Sequence, residues 1–224
     1  MSEVARFLPV LLRGVGTTLL LLVGALGTGF LLGIPVGVLH VFAPWPVRVF
    51  LRVLDLVLRG FPAIVLLFLF YFGLGSIEGI HLSSLQAAIL ALGLRSAAYQ
   101  GQLVRGAIGM VEPGQLGAAR ALGMPLGKAL RLIVFPQAIR FALPGLANEY
   151  SVVLKDTALA FTVGVVELMS RAKFLAASTR QLTLVYLLVA FIYWCLTQAG
   201  LLAFLTAERR TRIPGLGTGP RRPR

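Results

Sequence analysis

Ionisable side chains set inside long apolar runs are where this sequence can do chemistry. Glu149 and Asp156 stand seven residues apart, two turns of a continuous helix, and so share one face. Arg95 lies in an earlier apolar run as the obvious opposite charge, with Ser96 beside it, while Asn148 and Thr157 flank the two carboxylates and add hydrogen-bonding capacity. A charged side chain in mid-membrane costs on the order of 2.5–3.5 kcal/mol on insertion scales, which makes each of these positions a site by default. The set suits a zwitterion: an ammonium to Glu149 or Asp156, and a carboxylate to Arg95 or to backbone N–H groups freed at a helix break. The same residues, with Lys155, can instead pair with one another and pin the helices together. At this level both readings stand.

Other chemistry is poorly provided for. There is no Ser–His–Asp, His–Glu–x–x–His or Cys/His constellation, and the two histidines and single cysteine leave no room for a metal site or an internal disulfide. The loop residue His81 is expected to be solvated, and Cys195, inside an apolar run, to be inert packing. The stretch Gly123-Met124-Pro125-Leu126-Gly127-Lys128-Ala129 is a near miss for a phosphate-binding loop. It has three residues between glycines where four are needed, no hydroxyl after Lys128 and no preceding strand. The chain is therefore not expected to be an enzyme or to hold a cofactor, and any nucleotide belongs to another subunit.

The elements that must position these groups are membrane spans. Hydrophobic residues make up 58% of the 224, with a mean hydropathy of +0.88, above the usual soluble range. The net charge of +13 sits between apolar runs and at the C-terminus, where it follows the positive-inside rule and meets anionic lipid, so nucleic-acid binding is set aside. Five spans are expected, at 15–41, 47–72 (with a break at Arg59-Gly60-Phe61-Pro62), 85–111, 130–168 (broken) and 182–205. A cleavable signal peptide is not expected, because the first apolar run is too long. Ala25, Gly29, Gly33 and Gly37 recur every four residues, a stripe for close helix packing. The short segment with Arg171, Lys173 and Arg180 is expected to be a loop, with Glu167 and Arg171 pairing at a helix end, and Arg59 is placed at an interface or facing lipid. One domain, 1–206, precedes a basic tail, 207–224, expected to be disordered.

Between the third and fourth spans lies a polar elbow, 113–128. Pro113-Gly114 opens a short helix at 115–122, Gly123 is a natural residue to end it, and Pro125 forbids continuation. Ala118, Ala119 and Ala121 give the helix a small face that another surface can approach closely.

The elbow and the fourth span carry a resemblance. Gly114-Gln115, Gly117-Ala118-Ala119 and Leu122-Gly123 are similar to the core of the EAA loop in ABC-transporter permeases of the polar amino acid uptake type. Phe135-Pro136-Gln137-Ala138-Ile139-Arg140, then Leu143-Pro144, Leu146 and Asn148, and Leu154-Lys155-Asp156-Thr157-Ala158-Leu159 continue it in order. Leu58-Arg59-Gly60-Phe61-Pro62 and Ala97-Ala98-Tyr99 resemble flanking motifs of that family. Two positions depart: Gly117 stands where the family has the Glu of EAA, and Gly101-Gln102 where it has Ala-Glu. A glycine there loosens a helix by about 1 kcal/mol relative to Ala.

The resemblance implies an all-α type I importer permease in the bacterial inner membrane, translocating a polar amino acid, with two acidic groups leaning towards a cationic one. It also implies the partners: an ABC ATPase dimer that binds ATP and Mg, a second permease subunit, identical or homologous, and an extracytoplasmic solute-binding protein. Gln115, Gly117, Ala118, Ala119, Arg120, Leu122 and Gly123 are then the segment seated on the ATPase. Five spans with elbow and tail inside put the N-terminus outside, at the cost of a charge-rule violation at 171–180. The rival is an ion-gradient-driven carrier or channel using Glu149 and Asp156 as proton or sodium sites.

Overall fold

The computed structural model describes residues 3–79 and 81–211, and the described residues form helices joined by short connections, with no strand among them. α1 (Glu3–Phe42) is a single 40-residue helix that starts well before the expected span and absorbs Pro9 and Pro35. α2 (Trp45–Gly60) and α3 (Ala63–Phe68, prolonged by a π-helical turn Leu69–Gly73) meet at 102°. The expected break at Arg59–Pro62 is thus a sharp corner: Phe61 is extended (φ −83°, ψ 141°), as a residue before proline prefers.

α4 (Ser84–Met110) opens with a capping box, in which Ser83 Oγ accepts from Gln86 N (3.2 Å) and Gln86 Oε1 from Ser83 N (2.9 Å). α5 (Pro113–Ala121) is the elbow helix. A single run then goes from α6 (Leu126–Ala129) through a π-helical turn (Leu130–Val134) into α7 (Phe135–Asp156) and a 3₁₀ turn (Thr157–Val163).

α1, the run 126–163 and α9 (Leu182–Thr211) are each long and apolar enough to cross a membrane, and the bent α2–α3 pair reaches that length only when its two helices are taken together. α4, at 27 residues about 40 Å long, is more polar because it carries the site, and it packs centrally between α1, α7, α2 and α3.

Two expectations are corrected at the other end of the molecule. The segment with Arg171 and Lys173 is not a loop but a helix, α8 (Leu168–Thr179), packed on α1 and α9. Glu167 does not pair with Arg171. Its carboxylate is fully buried and caps α8, accepting from Met169 N and Ser170 N (both 2.7 Å) and from the Tyr193 hydroxyl (3.1 Å). α9 runs through the drawn boundary at 206 to Thr211; residues 212–224, the rest of the basic tail, lie outside the described residues. His81 is exposed, as expected of a loop residue. Cys195 is exposed on α9 and not packed inside the bundle.

The four-residue stripe of α1 is the seam against α4. Ala25, Gly29, Gly33 and Gly37 are all buried, and a Cβ on Gly33 would lie 2.7 Å from the Ala97 carbonyl oxygen, one on Gly37 2.6 Å from Val104 Cβ. The obstacle at Gly33 is backbone and cannot swing away. Gly33→Val is expected to lower the unfolding temperature of the purified protein by at least about 5 °C, since overpacking costs about 1–3 kcal/mol even where side chains give way. Gly27→Val on the same helix, where a Cβ meets nothing within 4 Å, is expected to leave it unchanged.

Candidate functional site

α7 is continuous from Phe135 to Asp156 despite Pro144, so Glu149 and Asp156 do present one face, and that face meets α4. Arg95 Nη1 donates to Asp156 Oδ2 at 2.6 Å, and Ser96 Oγ donates to Glu149 Oε1 at 2.8 Å. Behind them Gln100, fully buried, donates from Nε2 to Ser96 Oγ (3.0 Å) and to the Leu26 carbonyl of α1 (3.5 Å). The site is therefore braced on three helices. Glu149 is buried, while the Arg95–Asp156 pair keeps a modest opening, with side chains 16% and 21% exposed.

Of the residues singled out by sequence, Arg95, Ser96, Glu149 and Asp156 come together and two do not. Asn148, one position before Glu149, is exposed on another face of α7. Thr157 is fully buried and gives its hydroxyl hydrogen to the Leu154 carbonyl (2.6 Å). Lys155 is exposed and makes no ion pair among the described residues.

Besides Gln100, two residues join that the sequence did not assign here. Tyr99 lies between two guanidinium groups, with Arg59 Cζ 4.7 Å and Arg95 Cζ 5.1 Å from its ring centroid, a cation–π arrangement. Arg59, in the last turn of α2 before the corner at Gly60-Phe61-Pro62, is exposed and meets α4 through this ring. Arg59, Arg95 and Asp156 all lie within electrostatic reach of Glu149.

A second polar cluster, missed entirely by sequence reasoning, sits nearer the elbow. His40 Nε2 donates to Asp55 Oδ2 at 2.7 Å, with both residues buried, and Gln102 Nε2 donates to the same oxygen. It ties α1, α2 and α4 together. Gln102 occupies the position where the resembling family has Glu; here its amide supplies a donor to Asp55 where a second carboxylate would repel it.

The elbow divides into an inward and an outward face. Ala119 is buried (3% exposed), Leu116 packs against the apolar cluster built from the end of α4 and the 130–142 stretch, and Gln115 accepts from Gln137 Nε2 of α7. Ala118, Arg120, Ala121 and Gly117 are exposed, and so is Leu122, at 87%. The expected small face is thus split: Ala119 packs inward on its own chain, while Ala118 and Ala121 remain outward. Gly123 adopts φ +79°, the left-handed value that ends the helix, as its type and position predict. A Cβ at Gly117 meets nothing within 4 Å, so no steric demand for glycine explains that departure.

Helices long enough to cross a bilayer, charges held between two of them, and an exposed elbow between those same two helices define the membrane subunit of a transporter driven from outside the bilayer. Comparison with known proteins specifies which. Residues 29–213 match the family described as the binding-protein-dependent transport system inner membrane component, and the chain belongs to that family of ABC-transporter permeases, which leave ATP hydrolysis to a separate subunit.

The chain is 43% identical over 141 residues to the probable amino-acid permease protein YxeN of Bacillus subtilis (strain 168), covering 62% of this chain and 63% of that one. It is 35% identical to the probable amino-acid ABC transporter permease protein YckA of the same organism, over 84% of this chain and 83% of that one. Among solved structures, an amino acid ABC transporter crystallised with histidines superposes with a TM-score of 0.83 at 32% identity, over 93% of this chain and 97% of that one. The fold is that of a type I importer permease.

Proposed function

We propose that this chain is one of two permease subunits, identical or homologous, that carry a polar amino acid inward across the inner membrane by alternating access. An ABC ATPase dimer, holding ATP and Mg, seats the exposed face of α5; a solute-binding protein delivers substrate on the opposite side. The N-terminus is outside, the elbow and C-terminus cytoplasmic. ATP-driven closure of the ATPases moves the elbow, and with it α4 and α7, whose facing surfaces hold the charged cluster. The energy for switching comes from the differential affinity of the two conformations for nucleotide and substrate.

The single observation that carries the reading is that the seam between α4 and α7, the two helices the elbow segment connects, holds the pairs Arg95–Asp156 and Ser96–Glu149. Asp156 is already neutralised by Arg95. That leaves Glu149, held by Ser96, for an ammonium, and Arg59, stacked on Tyr99, for a carboxylate. These charges balance, which suits a zwitterion with an uncharged polar side chain better than the cationic amino acid that a count of acidic residues favours. The test is uptake of labelled glutamine by the reconstituted importer, challenged with tenfold excesses of unlabelled amino acids. Neutral polar amino acids are expected to compete and arginine, lysine and glutamate to compete at least fivefold less well. Strong competition by arginine alone would reverse the charge argument.

A further inference from the structure

How motion of the elbow reaches the site is visible in one pair of side chains. α5 packs on α6 and on the π-helical turn Leu130–Val134, the two elements between it and α7. Both are poor levers. α6 is a single turn of four residues, and the π-turn is a widened coil of the kind found at functional sites and at helix kinks. The Gly123 to Pro125 connection, with its positive φ, is no stiffer. Rotation of α5 passed only along the chain would be taken up in these joints.

Gln137 bypasses them. Its amide nitrogen donates one hydrogen to Gln115 Oε1 on α5 and the other to the Ile133 carbonyl (2.9 Å) inside the π-turn. One amide thus joins three pieces: the elbow helix, the hinge, and the first turn of the helix that carries Glu149. Neither glutamine is on the outward face of the elbow, since both are half-buried. Leu116 packs against the apolar cluster that includes Leu130 and Val134, but apolar surfaces slide, whereas a hydrogen bond fixes direction.

We propose that the Gln115–Gln137 staple is the positioning link that makes α7 turn with the coupling helix, and that the π-turn is the joint it locks. The inference rests on the permease reading above. Without the staple the ATPases cycle while the hinge absorbs their stroke.

The test uses the importer reconstituted with its ATPase and binding protein, reading amino acid transported per ATP hydrolysed. Gln115→Leu and Gln137→Leu are each expected to lower that ratio at least fivefold, and the double variant to be no worse than either single one. Gln115→Glu, which keeps an acceptor for the Gln137 amide, is expected to retain at least half of the wild-type ratio. In the same purified complexes, amide hydrogen exchange at 130–134 is expected to speed up at least fivefold in Gln137→Leu. An unchanged ratio in Gln115→Leu, additive losses in the double variant, equal loss in Gln115→Glu, or unaltered exchange would each overturn the staple. Absence of ATP-driven uptake in the wild-type complex would count against the permease reading instead, and the exchange result would still decide the staple.

Discussion

Asp156→Asn and Glu149→Gln each lower amino acid uptake at least tenfold in the reconstituted importer while the subunits remain assembled. Asp156→Asn removes the only ionic partner of Arg95 within the described residues and leaves a guanidinium in the α4–α7 seam without a counter-charge. Glu149→Gln keeps the shape and an acceptor for Ser96 Oγ but removes the negative charge proposed to hold the substrate ammonium. A purely structural ion pair makes a different forecast. Buried pairs are commonly replaced by apolar residues of similar size without loss of stability, whereas breaking one partner alone is damaging. The double variant Arg95→Met with Asp156→Leu therefore separates the two roles. It is expected to assemble normally and to recover uptake to above half of wild type, because Glu149 and Arg59 remain for the substrate; failure to transport would give the pair a direct part in holding the substrate and overturn that assignment.

Leu122→Asp is expected to weaken capture of the ATPase by at least about thirtyfold, the loss of roughly 2 kcal/mol typical of a central interface anchor. The residue is 87% exposed, an unusual position for a leucine at the end of a polar elbow, and it ends the outward face formed by Ala118 and Ala121. Leu122 is the C-cap of α5 but serves there through its backbone N–H, so changing its exposed side chain costs the chain itself little. Ala119→Glu makes the contrast. That residue is 3% exposed and packed inward, so a glutamate there disrupts the seating of the elbow on its own chain rather than the face offered to a partner. Both variants should lose coupled transport; only Leu122→Asp should do so with the unfolding temperature of the isolated permease unchanged.

How much of the structure is legible in the sequence depends on how local the cause is. The Gly29–Gly33–Gly37 stripe, the left-handed Gly123, the corner before Pro62 and the shared face of Glu149 and Asp156 are each set by residue type and helical period within a few positions. The pairing of Arg95 with Asp156 is within reach because so few charges lie inside the spans that each limits the other's choices.

The unforeseen features have two kinds of cause, a partner far along the chain or a local competitor that wins. Asp55 is one more charge on an amphipathic helix until α1 brings His40 to it across 15 residues and α4 brings Gln102 across 47. Glu167 and Arg171, four apart, have the spacing of a helix-end pair. The competing demand of the buried α8 N-terminus wins, because two orphan N–H groups there have no other acceptor. Thr157 adjoins Asp156 in sequence but does not face the site; the change from α-helix to 3₁₀ turn at that residue swings it into the core. Charge density disguises α8 as a loop, since Arg171, Lys173 and Arg180 outweigh a short apolar face in any hydropathy window.

The account as a whole depends on movement made by ATPases outside the bilayer reaching charges held between α4 and α7. Uptake into proteoliposomes, measured with the permease alone and with the complete complex, with and without internal ATP and with and without an imposed proton or sodium gradient, tests this most directly. The prediction is uptake only by the complete complex supplied with ATP, indifferent to either gradient. Gradient-driven uptake by the permease alone would contradict it.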